Sequence, residues 1–227
     1  MYQDDGKYIM YYSATAADGG KKHCIGAASS NNITGPYTPH NESLACPLDK
    51  GGAIDAAGFY DDETYYVVYK VDGNGLNNGN GTQHPTPLLL QELDDDAMTP
   101  VGKPTELLDR IDSDGPLVEA PSLLKLNGTY YLSYSTHMFN TKGYDMSFAT
   151  ASSLTGPYER ARDSDNPVLG SGDPSDSGKL AGPGGSDFSE DGTKIVFHAF
   201  ENGEDMKKGR AMYIADIEVS DGKIELW

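Results

Sequence analysis

LNGTYYLSYST (residues 126–136) decides the fold class. An Asn-Gly turn opens it, and tyrosines then alternate with Leu, Ser and Thr at a period of two. That is the signature of a half-buried strand entered through a tight hairpin turn. MSFATASSLTGPYER (146–160) comes next, a small-residue strand ending in T-G-P-Y. The same pair recurs near the start as DDGKYIMYYSA (4–14) and CIGAASSNNITGPYTP (24–39). Weaker copies of the first half stand at YDDETYYVVYK (60–70) and EDGTKIVFHAF (190–200). Recurrence at roughly 40–65-residue intervals, loops included, matches the blades of a β-propeller. A β-sandwich with two similar hairpins is the alternative, and recurrence along nearly the whole chain favours the propeller.

Three complete units and one incomplete one can be counted. The first begins at its central hairpin, its innermost strand absent or very short. The second begins near GGAIDAAGFY (51–60) and continues through TPLLLQELD (86–94) and TPVGKPTELL (99–108). The third begins near GPLVEAPSLL (115–124), and the fourth runs from LAGPGGSDF (180–188) to the end. TAADGG (15–20), GNGLNNGNGTQHP (73–85) and LGSGDPSDSG (169–178) are polar and turn-rich, so they read as blade-end loops. The acidic run Asp94 to Asp96 reads as a solvated turn between strands. The whole of 1–227 is therefore expected to be one propeller domain with an incomplete ring.

Composition narrows the partners. A formal charge of −18 lacks the basic footprint that nucleic acid or an anionic membrane requires. The 15 tyrosines against 6 phenylalanines suit half-buried strands and wet clefts, because tyrosine joins an apolar body to a hydrogen-bonding tip. Cys24 and Cys46 have no metal-type spacing; they are either two unrelated buried thiols or one disulfide. Sequons start at Asn32, Asn41, Asn80 and Asn127 and lean towards a secreted glycoprotein. No apolar run is long enough to span a bilayer. No P-loop, dinucleotide fingerprint or Ser/His/Asp arrangement is present, so no cofactor is expected.

I-D-A-x-x-F at 54–59 and V-E-A-P at 118–121, in that order and inside tyrosine-rich hairpins with paired T-G-P-Y ends, carry a resemblance. The chain resembles glycoside hydrolase family 43 over essentially its whole length. The resemblance implies a five-bladed propeller whose first blade, and part of whose second, is missing here. It implies hydrolysis of β-xyloside or α-L-arabinoside bonds in plant-wall pentose glycans such as xylan and arabinan. Inversion needs a protonated carboxylic acid at the leaving oxygen and a carboxylate across the sugar that activates water. Glu119 takes the general-acid position. Asp55 takes that of the acid that raises its pKa and orients the sugar. The general base lies, in the family, upstream of a W-A-P-D-type segment. Neither it nor that segment is found here, so the reaction is expected to be impaired. Asp4 and Asp5 read as turn residues, not substitutes.

Arg210, in G-R-A-M-Y-I, resembles a substrate-reaching arginine of the last blade, and His137 is the second substrate-binding candidate. A surface ion pair and a packed or solvated histidine are their plainer readings. Family members often carry G-P-G-H in the last blade, its His serving an axial water or calcium. Here the run is Gly182-Pro183-Gly184-Gly185, so no metal is expected. His198 reads as a satisfied core histidine, and Phe59, Phe139 and Tyr144 as candidates for stacking on a sugar. The alternative function is a non-catalytic, carbohydrate-binding propeller. Either way the open edge predicts self-association.

Overall fold

The computed structural model describes residues 1–3, 6–76, 82–161, 167–200, 208–220 and 222–226. Asp4, Asp5 and the sequon residue Asn80 lie outside them. The chain forms two compact units, Met1–Glu106 and Leu107–Trp227. It is all-β, with four blade-type antiparallel sheets in a β-propeller arrangement.

In the first unit, β1 (Tyr8–Thr15), β2 (His23–Ser30) and β3 (Thr38–Pro39) make a three-stranded sheet. The short stub Met1–Gln3 pairs on the free side of β1: the Met1 amine donates to the Ile9 carbonyl at 2.8 Å, and Tyr2 bridges Tyr8. A second sheet has the meander order β4 (Ala53–Asp61), β5 (Thr64–Val71), β6 (Leu88–Leu93), β7 (Pro100–Leu108). Ile25, Ala27, Val67, Tyr69 and Leu93 form the core here. Asp94–Asp96 make the expected turn. Asp96 accepts from the Met98 and Thr99 amides at 2.8 Å each, and the Thr99 hydroxyl and these amides hold its carboxyl below the usual range against the pull of burial.

The second unit repeats the meander twice. One sheet is β8 (Val118–Leu126), β9 (Thr129–Thr136), β10 (Asp145–Ala151) and β11 (Glu159–Arg160). The other is β14 (Gly184–Phe188), β15 (Lys194–Phe200), β16 (Arg210–Ser220) and β17 (Lys223–Leu226). Between them LGSGDPSDSG, expected as plain loop, holds a two-strand hairpin of β12 (Pro174–Ser175) and β13 (Gly178–Lys179). Leu124, Tyr131, Met146, Phe148, Ile195 and Phe197 pack as one core. β9 departs from the half-buried expectation, being buried on both faces after its first residue. Its alternate positions are small, and Ser133 and Ser135 are fully buried between neighbouring strands.

The T-G-P-Y ends are built alike. The Tyr37 hydroxyl donates to the Ile33 carbonyl at 3.0 Å, and that of Tyr158 to the Leu154 carbonyl at 3.1 Å. Each tyrosine staples its own turn, which explains why the motif recurs as a unit. Cys24 in β2 is joined to Cys46 by a disulfide, deciding between the two sequence readings. Cross-linking this loop restricts the unfolded chain. We expect the double variant Cys24→Ser/Cys46→Ser to lose about 2–4 kcal/mol in urea unfolding; an unchanged midpoint would refute a stabilising role.

Candidate active site

A shared irregularity of the inner strands organises the candidate residues. In β4 the pairing with β5 slips between Ile54 and Ala57, in β8 the pairing with β9 slips between Glu119 and Ser122, and in β14 the pairing with β15 slips between Gly184 and Asp187. Each slip is a bulge, and each has one residue in the left-handed region at the same register: Asp55 (φ 58°), Ala120 (φ 50°) and Gly185 (φ 62°). A bulge adds an unpaired residue and re-aims the side chains around it. Left-handed backbone at Asp55 and Ala120 is strained, and such strain persists only where surrounding structure holds it. Pro121 fits the next position because a bulge residue need not donate to the ladder.

Asp55 is half-buried on β4 in the first unit. The other candidates belong to the second. Glu119, second residue of β8, is buried opposite Ser135 of β9. His137 stands just after β9, also left-handed (φ 64°), its amide donating to the Asp114 carbonyl at 2.9 Å. The Thr136 hydroxyl donates to Asp145 at 2.7 Å, so its oxygen accepts from His137 Nδ1–H at 2.7 Å. That network places a hydrogen on Nδ1. Asp114 is itself fully buried and is paired with Arg160 at 3.0 Å. Arg160 also donates to the Tyr134 hydroxyl at 3.0 Å and the Asp109 carbonyl at 2.5 Å. This buried pair fixes the loop that leads into β8 and supports His137 from below.

Arg210, first residue of β16, donates through Nε to His198 Nδ1 at 2.6 Å, through Nη1 to the Phe139 carbonyl at 2.6 Å, and through Nη2 to the carbonyls of Gly182 and His198. Its guanidinium lies over the rings of Tyr144 and Phe200, 5.3 and 4.5 Å from their centroids. Burial lowers its pKa from the usual value, opposed by Tyr144 and by the charge of Glu119. Arg210 and Glu119 thus share one electrostatic neighbourhood. His198 stacks on Tyr144 with centroids 5.9 Å apart, and burial, then the Arg210 charge, pushes its pKa down to about 4.

Two sequence readings change. Tyr144 is 2% exposed under His198 and Arg210, so it offers no face to a sugar, whereas Phe139 is 53% exposed. His198 is not a packed core residue but a half-buried one, with Nδ1 held by Arg210. The G-P-G-G run also gains a physical reason. A side chain on Gly184 would meet Tyr144 at 2.3 Å and Ser135 Oγ at 2.8 Å, and one on Gly185 would meet His198 Nε2 at 2.3 Å. Only glycine fits either position while those rings stay in place. His198 carried no signal in sequence because its cross-strand partner, Gly184, lies fourteen positions away across a bulged pairing. Among the described residues, no group of three or more His, Cys, Asp or Glu side chains is placed to hold a metal ion.

Residues 1–224 match the model of glycosyl hydrolases family 43. A β-D-galactofuranosidase, xynD, of Aspergillus niger is 32% identical over 69% of this chain and 41% of its own length. An extracellular endo-α-(1->5)-L-arabinanase 1 of Bacillus subtilis is 29% identical over 87% of this chain and 58% of its own. The chain thus spans about half the length of these curated relatives. The crystal structure of a thermostable family-43 glycoside hydrolase covers 100% of this chain and 72% of its own, with a TM-score of 0.82 and 27% identity.

The His198 environment has a consequence for stability. Its folded pKa, about 4, lies below the ordinary 6.5, so the unfolded chain binds more protons between those values. The contribution is full above about pH 6.5 and is lost as pH falls towards 4. We expect the urea midpoint to fall less between pH 7 and 4.5 in His198→Gln than in the wild type. Parallel pH profiles would show that His198 titrates normally.

Proposed function

The chain belongs to glycosyl hydrolases family 43, and from that premise we propose that it acts on plant-wall pentose glycans of the xylan and arabinan type. The bonds are β-xyloside or α-L-arabinoside bonds, and the mechanism is inverting. Glu119 is the general acid. Its burial at a strained bulge, within reach of the Arg210 charge, is the observation that carries this reading, because an acid at that place must be aimed and partly withdrawn from water. Asp55, at the matching bulge of its own blade, modulates the acid and orients the sugar. His137 and Arg210 serve substrate binding. No residue is assigned here as general base.

The same premise extends to architecture and setting. Residues 1–227 act as one propeller-type catalytic domain of a five-bladed plan. The β16 face supports this: Met212 and Ile214 are 72% and 64% exposed, and a neighbouring blade would cover them. The same uncovered face favours self-association. Secretion and glycosylation are supported by the disulfide, by exposed Asn32, Asn41 and Asn127, and by the arabinanase relative's being extracellular.

Hydrolysis of aryl β-xyloside and aryl α-L-arabinofuranoside tests the assignment. We expect weak turnover that falls about 10²–10⁴-fold in Glu119→Gln. Equal, negligible rates in both proteins would leave a carbohydrate-binding propeller in place of an enzyme. In light scattering we expect a mass that rises with concentration, and that rises less when Met212 and Ile214 are both changed to Ser. A monodisperse monomer at high concentration would end the self-association reading.

A further inference from the structure

We infer that His198 is a sugar-binding residue of this site: Arg210 holds its imidazole in the Nε2–H form, and that nitrogen stands at the β14 bulge as a fixed donor to a sugar hydroxyl beside Glu119. This rests on the carbohydrate-site reading above.

Space is the first support. The Nε2 atom lies 2.3 Å from where a side chain on Gly185 would begin, so the imidazole fills the place from which residue 185 would otherwise project. That register is the one Asp55 occupies in its blade, next to the position matching Glu119 in β8. Connection is the second. The Gly185 amide donates to Ser135 Oγ at 2.8 Å, and Ser135 is the cross-strand partner of Glu119. The third is proton placement. A guanidinium has donors and no acceptor, so Nδ1, receiving Arg210 Nε at 2.6 Å, must be unprotonated and Nε2 must carry the hydrogen. The ring cannot swing readily, since it stacks on Tyr144 and its own carbonyl also accepts from Arg210 at 3.1 Å.

The chemistry suits a sugar. A neutral N–H donates to a hydroxyl or ring oxygen without adding a cation beside the acid. An imidazolium there would favour the carboxylate form of Glu119 and work against proton donation. Arg210 directs Nε and Nη2 to His198 and its neighbourhood, so besides the substrate-binding role given above it positions the imidazole.

The test uses the full chain carrying Glu119→Gln, 15N-labelled, with β-1,4-xylobiose and α-1,5-arabinobiose as probes. Long-range imidazole spectra at pH 7 should show His198 Nε2 protonated and Nδ1 bare, and one sugar should shift the Nε2–H signal. His198→Phe and Gly185→Ala should weaken that sugar's binding about fivefold to tenfold, the scale of one neutral hydrogen bond. His198→Gln should recover part of the loss, and Arg210→Met should give mixed tautomers with a similar loss. The opposite tautomer overturns the inference. So does sugar binding that shifts backbone signals elsewhere and leaves His198 unmoved, an outcome that spares the carbohydrate-site reading. Binding of neither sugar overturns both.

Discussion

An inner strand that slips its pairing by one residue is the constraint on which the rest of this molecule depends. Asp55, Ala120 and Gly185 stand at the slip in three successive blades, each with left-handed backbone. Left-handed geometry is disfavoured for side chains with a Cβ, at about 1–2 kcal/mol per residue. It is held here by the antiparallel pairing that resumes after each slip, at Ala57, Ser122 and Asp187. The slip turns the flanking side chains out of the strict up-and-down alternation of a strand, which is how a sheet otherwise committed to packing can present a carboxylate.

Each blade uses its slip differently, and the differences are chemical. In β4 the left-handed residue is itself an acid. In β8 it is alanine, and the acid is the residue before it. In β14 there is no side chain on either glycine, and the functional group arrives from the next strand as His198. Close approach explains the glycines: Tyr144 and Ser135 crowd residue 184, and the imidazole crowds residue 185.

Hydrogen-bond accounting gives the second unit two histidines of opposite character. His137 donates through Nδ1 to Thr136, whose own proton goes to Asp145. His198 accepts at Nδ1 from Arg210. One ring therefore donates at Nδ1 and the other accepts there, which puts the hydrogen of His198 on Nε2. The buried Asp114–Arg160 pair beneath His137 has a related role, since an isolated carboxylate there would be costly and its partner also reaches Tyr134 and the Asp109 carbonyl.

Much of this was legible in the chain itself. Alternating tyrosines after Asn-Gly or Asp-Gly announce hairpins because period two and left-handed turn residues are local properties. The T-G-P-Y ends repeat because each tyrosine bonds a carbonyl four residues back, again a local matter. Glu119 and Asp55 could be singled out because their motifs are contiguous. What only the tertiary structure decided is set by strands distant in sequence. The bulge register fixes which way a side chain is aimed, and the packing of Tyr144 removes it as a platform. The meeting of Gly185, His198 and Arg210 depends on three strands whose pairing no local pattern reveals. Composition and periodicity report on neighbours a few residues apart, whereas a proton's place on an imidazole is settled by a donor twelve residues away across a sheet.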